Sequence, residues 1–312
     1  MRPARRLIVA VVCLAALDQL VPDLLRRLER QRYESTQVFR FESSDLFGLG
    51  PLVSYLRDHP RGERPRTLFL GNSVMFGFEL AAAEAVPARF QERHPDTQVF
   101  NGAVNGFELG SNYLVAKAVI DAVDRFYVMR GSDGANPLLA SLIPVGPHEP
   151  EEFHLQRPNP LEADLQSIAG FWHLYASTYR LQAAMFGTST RQYLHLLSRP
   201  AITRTFASQG GSVELARPRS ATAPDRDRRA ELERRDRLLW RFAELVSIRG
   251  RRAVFLQIGT PAGAFDDVEI ADFNAAFAPR VEIVTLRIPP ALLYDTRHLT
   301  TEGARKVAEV LP

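Results

Sequence analysis

The sequence predicts an α/β protein, a parallel sheet covered by helices on both faces, and three observations carry that prediction. Short apolar runs of strand length recur along the chain, helical patterns separate them, and 46% of the 312 residues are hydrophobic, enough to bury a full core. In such a sheet the residues that do chemistry sit in loops at the carboxyl ends of the strands.

The first run is Thr67-Leu68-Phe69-Leu70, closed by Gly71. Four more follow at 98–100, 125–129, 253–258 and 281–286, so five parallel strands are expected. Between them, Pro87 suits the first position of a helix running to about Arg93. Leu109 to Val123 has 3.6-residue apolar spacing, and Ala230 to Ile248 is a long amphipathic segment. The alternation stops after Asn136 and resumes near Arg228, which marks residues 137–225 as an insertion after the third strand. It opens with prolines (Pro144, Pro147, Pro150, Pro158, Pro160), passes through an aromatic, helix-like run from Phe171 to Leu197 and ends in a polar stretch. Phe171, Trp172, Tyr175 and Tyr179 have helical spacing and suit an insertion core; the alternative is a cap beside the sheet's active edge, with Tyr175 and Tyr179 as its candidate selectivity residues.

Arg2, Arg5 and Arg6 precede the apolar run Leu7 to Leu17, the pattern of a signal-like segment. That run alone is too short to span a bilayer, at ~1.5 Å per residue against ~30 Å of hydrocarbon. Extending it to Leu25 gives nearly enough length and takes in Asp18, Pro22 and Asp23. No small-x-small cleavage site follows, so the expectation is an uncleaved membrane anchor over 1–25, a connector over 26–65 and an extracytoplasmic domain over 66–312. The alternative is an apolar first helix packed on the domain.

A formal charge of +3 and a pI near 9.2 raise the question of nucleic acid. The arginines alternate with acids, as in Asp225 to Arg237, and no basic face or zinc-finger spacing is present, so no nucleic-acid partner is expected. Cys13 is the one cysteine, which excludes a disulfide framework. His59, His94, His148, His154, His173 and His195 lack ligand spacing, so neither a metal nor another cofactor is expected.

One serine lies directly after the first strand, in Leu70-Gly71-Asn72-Ser73-Val74. A serine hydroxyl needs a base within hydrogen-bond reach, and that base needs a third group to orient it. Asp295-Thr296-Arg297-His298 supplies both, on a loop just before a helix that Thr300 or Thr301 can cap.

These blocks resemble those of the SGNH or GDSL hydrolases. The family's Gly-Asp-Ser block corresponds to Gly71-Asn72-Ser73, with Asn72 in place of the Asp, and its Asp-x-x-His block to Asp295 and His298. The second block is matched by Asn101-Gly102-Ala103-Val104-Asn105-Gly106, and the third most nearly by Gly134-Ala135-Asn136-Pro137, where Pro137 replaces an Asp. The resemblance covers about residues 66–136 and 225–311. It implies a three-layer, flavodoxin-like fold and two-step acyl transfer without a cofactor. Ser73 would be the nucleophile, Asp295 and His298 its activating pair, and Ser73, Gly106 and Asn136 the oxyanion donors. Anchored members of the family commonly act on acyl esters of envelope or exopolysaccharide sugars. Rival expectations are a lipid esterase and a non-catalytic glycan-binding protein of the same fold.

Overall fold

A computed structural model describes residues 3–33, 49–59, 61–131, 133–156, 173, 177–186, 212–216, 236–261, 263, 265–278 and 280–312. The elements in chain order are helices α1 (Pro3–Tyr33) and α2 (Leu49–Asp58), then strand β1 (Arg66–Leu70) and helices α3 (Ser73–Phe76) and α4 (Val86–Arg93). Strand β2 (Gln98–Asn101), helix α5 (Leu109–Val119) and strand β3 (Arg125–Met129) follow. The insertion contributes helix α6 (Glu149–Glu152), helix α7 (Thr178–Phe186) and strand β4 (Glu214–Leu215). Helix α8 (Arg237–Ile248), strand β5 (Arg252–Gly259), helix α9 (Asp267–Phe277), strand β6 (Glu282–Arg287) and helix α10 (Thr301–Val310) complete the chain. Contacts divide it into two compact units, one formed by 1–35 and 157–200, the other by 36–156 and 201–312.

The larger unit is built on one sheet with strand order β2-β1-β3-β5-β6-β4. The first five of these pair in parallel, and β4 pairs antiparallel with β6. The expected five-stranded parallel sheet is thus present but not complete: the insertion adds a sixth strand at its edge. Two exposed residues make that strand, pairing through their backbones, so no apolar run marks it in the sequence. Strands β1, β2, β3 and β5 are buried on both faces, which explains their apolar runs.

Helices α3, α4 and α10 cover one face. Phe69 and Tyr127 stack there at 4.5 Å between ring centroids, and Phe90 of α4 meets both edge-on. Val307 and Ala308 of α10 join the same core. On the opposite face Phe126 and Phe255 meet Phe242 of α8, and Phe255 also meets Phe273 and Phe277 of α9. The architecture is therefore three-layer α/β/α. Arg66, 1% exposed, donates to the carbonyls of Leu56 and His59, fastening the end of α2 beneath the sheet.

Element limits differ from the sequence expectations in small ways. Pro87 is the second residue of α4 and not the first, α5 stops at Val119, and α8 is described from Arg237 onward. Helix α9 carries a signal that the expectation passed over, since the Asp266 side chain accepts from Glu269 N–H as an N-cap. Phe171, Trp172, Tyr175 and the side chain of Tyr179 lie outside the described residues.

In the smaller unit α1 packs against α7. Arg180 makes two hydrogen bonds to the carboxylate of Glu29, at 2.7 and 2.8 Å. Over the 26 residues Ile8–Tyr33, α1 is long and apolar enough to cross a membrane.

Candidate active site

Strand order 2-1-3 reverses direction at β1, and a loop leaving such a switch point opens into a crevice at the carboxyl edge. Ser73 sits there. Gly71 carries the chain out of β1 through a gap that admits no side chain, since a Cβ would lie 2.9 Å from Met75 Cβ and 3.0 Å from Met129 Cβ. Asn72 then caps the four-residue helix α3, its Oδ1 accepting from Val74 N–H at 3.0 Å. Gly77 ends that helix in the left-handed region with φ 77°, and Phe78 N–H returns to Ser73 C=O at 2.9 Å. The Ser73 backbone is thereby fixed at both ends of one tight turn.

His298 reaches this serine from 225 residues away, with Nε2 2.9 Å from Ser73 Oγ. Its Nδ1 lies 2.7 Å from Asp295 Oδ2. The other carboxylate oxygen, Oδ1, accepts from the backbone N–H groups of Arg297 and His298, both at 2.7 Å. With its proton on Nδ1, the ring donates to Asp295, and Nε2 is left to accept from Ser73 Oγ–H. Burial pushes the Asp295 carboxyl upward, but the hydrogen bonds from the His298 ring and from the two backbone N–H groups outweigh it and hold the group below its ordinary value. The side chains of His298 and Asp295 are 18% and 43% exposed, so the site opens to solvent on the carboxylate side.

Two aromatic rings fix the imidazole plane, and neither belongs to a sequence block. Tyr294 stacks on His298 at 5.6 Å with 15° between planes, and Phe78 lies 5.0 Å away at 39°. Beneath them Thr300 caps α10, accepting from Gly303 N–H at 3.0 Å, while its own N–H donates to Leu292 C=O at 2.9 Å. The Asp295–His298 loop is thus anchored to the helix behind it.

The loop after β2 is laced to the serine turn. Val104 N–H donates to Gly71 C=O at 3.2 Å, and Asn101 braces α3 with Nδ2 at 3.4 Å from the carbonyls of both Met75 and Phe76. Gly106 follows at φ 77° in a turn closed by Phe107 N–H to Val104 C=O, a backbone conformation that favours glycine. Among the described residues the N–H groups of Ser73 and Gly106 donate to no protein acceptor, which leaves both available to a ligand.

Asn136 is held differently. Its N–H donates to Ser111 Oγ at 2.8 Å, and its Oδ1 accepts from Leu138 N–H as the cap of a 3-10 turn over Pro137–Ser141. The loop before it rests on the start of α5, where Gly110 N–H meets Gly134 C=O at 2.9 Å and a side chain at 110 would strike that oxygen. No hydrogen bond joins Asn136 to Ser73, Gly106 or His298. In the same loop, Asp133 is held above its ordinary pKa by burial and by the neighbouring Asp236. Among the described residues no group of three or more His, Cys, Asp or Glu side chains is arranged to hold a metal.

No family model matches the chain, and no curated protein matches it. Among solved structures, one from Desulfitobacterium hafniense DCB-2, described as a "putative lipolytic protein of G-D-S-L family", is similar at a TM-score of 0.36 and 10% identity. The match covers 80% of this chain and 100% of that one.

Proposed function

We propose that the protein is a serine-dependent ester hydrolase or O-acyltransferase. The observation that carries this is the unbroken path from Ser73 Oγ through the His298 ring to Asp295, with links of 2.9 and 2.7 Å. Each link has the length of a hydrogen bond, and the order of the groups is that of a nucleophile, its base and the base's orienting acid.

In the reaction, Ser73 Oγ attacks the carbonyl carbon of a bound ester as its proton passes to His298 Nε2. Asp295 keeps the imidazole in the required tautomer and stabilises the imidazolium that forms. The charge on the tetrahedral oxygen is met by the Ser73 and Gly106 N–H groups, with the Asn136 Nδ2 amide as a third donor. The His298 proton then goes to the leaving alcohol, and an acyl-serine remains. Water, or the hydroxyl of an acceptor sugar, resolves it by the reverse sequence with His298 again as base. Short acyl groups on envelope or exopolysaccharide sugars are the proposed substrates. This rests on the combination of Gly71-Asn72-Ser73 and Asp295-x-x-His298 with an apolar N-terminal helix able to hold the enzyme at a membrane.

A fluorophosphonate probe tests the proposal, because it labels an activated serine and leaves ordinary serines unmodified. Wild-type protein should be labelled. Ser73→Ala should abolish both labelling and hydrolysis of acetylated sugar esters while the circular dichroism spectrum stays unchanged. Labelling that persists in Ser73→Ala would place the nucleophile elsewhere, and preferred turnover of phospholipid esters would move the substrate class to lipids.

A further inference from the structure

Helix α1 changes character along its length. From Ile8 to Leu17 every residue is exposed, and Ile8, Val12, Leu14 and Leu17 are 61–63% exposed on successive faces. A helix that is apolar and bare on all sides suits hydrocarbon as its solvent. From Asp18 onward one stripe is buried (Asp18, Val21, Leu25, Glu29), while Leu20 and Leu24 on the other side remain 61% and 51% exposed.

The buried stripe carries two acids, and the insertion takes both. His173 N–H donates to Asp18 Oδ2 at 3.1 Å, and Arg180 grips Glu29, which is 1% exposed. Because position 173 meets Asp18 and position 180 meets Glu29, the two segments advance in the same direction. Charges bound the apolar run. Arg5 and Arg6 precede it, and the exposed pair Asp23 and Arg26, 2.8 Å apart, follows with Arg27. Leu7 to Pro22 rises about 24 Å at ~1.5 Å per residue, close to the thickness of a thin hydrocarbon layer. Asp18 lies about one and a half turns on the apolar side of the boundary that Asp23 marks. A carboxylate at that depth is costly unless it has partners, and the His173 amide is one of them.

We propose that the insertion is the membrane-surface partner of α1: the chain at His173 enters the headgroup layer of a lipid bilayer to meet Asp18, and α7 rises from there along α1 into water. It follows that α1 is retained in the mature protein, since cutting before Tyr33 would remove the surface on which α7 packs. The inference rests on α1 being inserted in a bilayer, and the experiment separates the two ideas.

Nitroxide depth measurements provide it, on full-length protein in phosphatidylethanolamine–phosphatidylglycerol vesicles. Spin labels are placed singly at the native Cys13, and at His173→Cys and Met185→Cys in a Cys13→Ser background. The His173 side chain is free to change because, among the described residues, its hydrogen bonds use only backbone atoms, its N–H to Asp18 and its C=O from Ser177 N–H. Collisions with oxygen should dominate for Cys13, a dissolved nickel chelate should dominate for position 185, and position 173 should fall between them. Arg180→Glu should shift the 173 label toward the aqueous value, and Glu29→Arg in the same chain should return it. A 173 label as water-accessible as 185, with Cys13 still shielded, overturns the docking inference alone. An aqueous Cys13, or an intact mass lacking the first 33 residues, overturns the anchor beneath it as well.

Discussion

Asp295 is the residue whose replacement reads the proposed triad most directly. Its Oδ2 faces His298 Nδ1, and its Oδ1 holds two backbone amides, so an amide side chain fits the space but presents the wrong donor to the ring. Asp295→Asn should therefore cost about 10⁴ in turnover near neutral pH, the size known for the corresponding change in a serine protease triad. Stability should respond separately. The folded-state pKa of Asp295 lies below its unfolded value of ~3.9, so the ionised group favours folding above that value and ceases to do so as pH falls through the lower, folded one. The stability difference between wild type and Asp295→Asn should accordingly be constant above about pH 5 and shrink in acid. Asn136 calls for a two-variant comparison, because its Oδ1 caps a turn while its Nδ2 is the group proposed to meet the oxyanion. Asn136→Ala should cost about 1 kcal/mol in stability from the lost cap, and 10² to 10³ in turnover. Asn136→Asp keeps the acceptor and discards the amide hydrogens, so it should restore the melting temperature and not the rate. Turnover by Asn136→Asp at the wild-type level would show that the third donor is another group.

The loops that carry Ser73, Asp295 and His298 owe their positions to the elements behind them, and α10 is the clearest case. Gly303 lies where a Cβ would approach Leu292 C=O to 2.3 Å, so the helix start and the segment leading to Tyr294 are in backbone contact. Gly303→Ala should force them apart at a cost of about 1–3 kcal/mol. Because the displaced segment carries Asp295 and His298, probe labelling should slow by more than the loss of folded protein explains. An unchanged melting curve would show that the contact relaxes freely. This dependence also explains what the sequence reveals and what it hides. The parallel strands are legible because burial on both faces demands unbroken apolar runs, and Ser73, Asp295 and His298 are legible because each lies beside such a run or beside a capped helix. Strand β4 is hidden because its pairing uses backbone groups alone. Phe78 and Tyr294 are hidden for another reason: their partner is a ring that only the folded loops bring near, and no spacing in the chain encodes that. Asn101 stands in the open as part of a motif, yet its brace to α3 depends on where β2 delivers it.

At the scale of the molecule, the two units have different surfaces, one with a helix bare of protein over Ile8–Leu17 and the other closed around a sheet. Full-length protein should sediment with membranes and resist extraction by carbonate at high pH, with detergent required for release. Recovery in the soluble fraction would remove the anchor from the proposed function and leave the proposed triad untouched. The edge of the sheet sets a further limit, on how this chain can be cut. Outside β6 lies β4, whose Glu214 and Leu215 pair with the outward backbone groups of β6 at Arg287 and Leu286, helped by an Arg287–Glu214 contact at 3.8 Å. Excising 137–225 to obtain a minimal body around the sheet would uncover a row of unpaired donors and acceptors, a template for strand addition between molecules. Soluble truncations should therefore be those that leave residues 212–216 in place, and versions that lose them should assemble into β-rich aggregates even though they retain Ser73, Asp295 and His298.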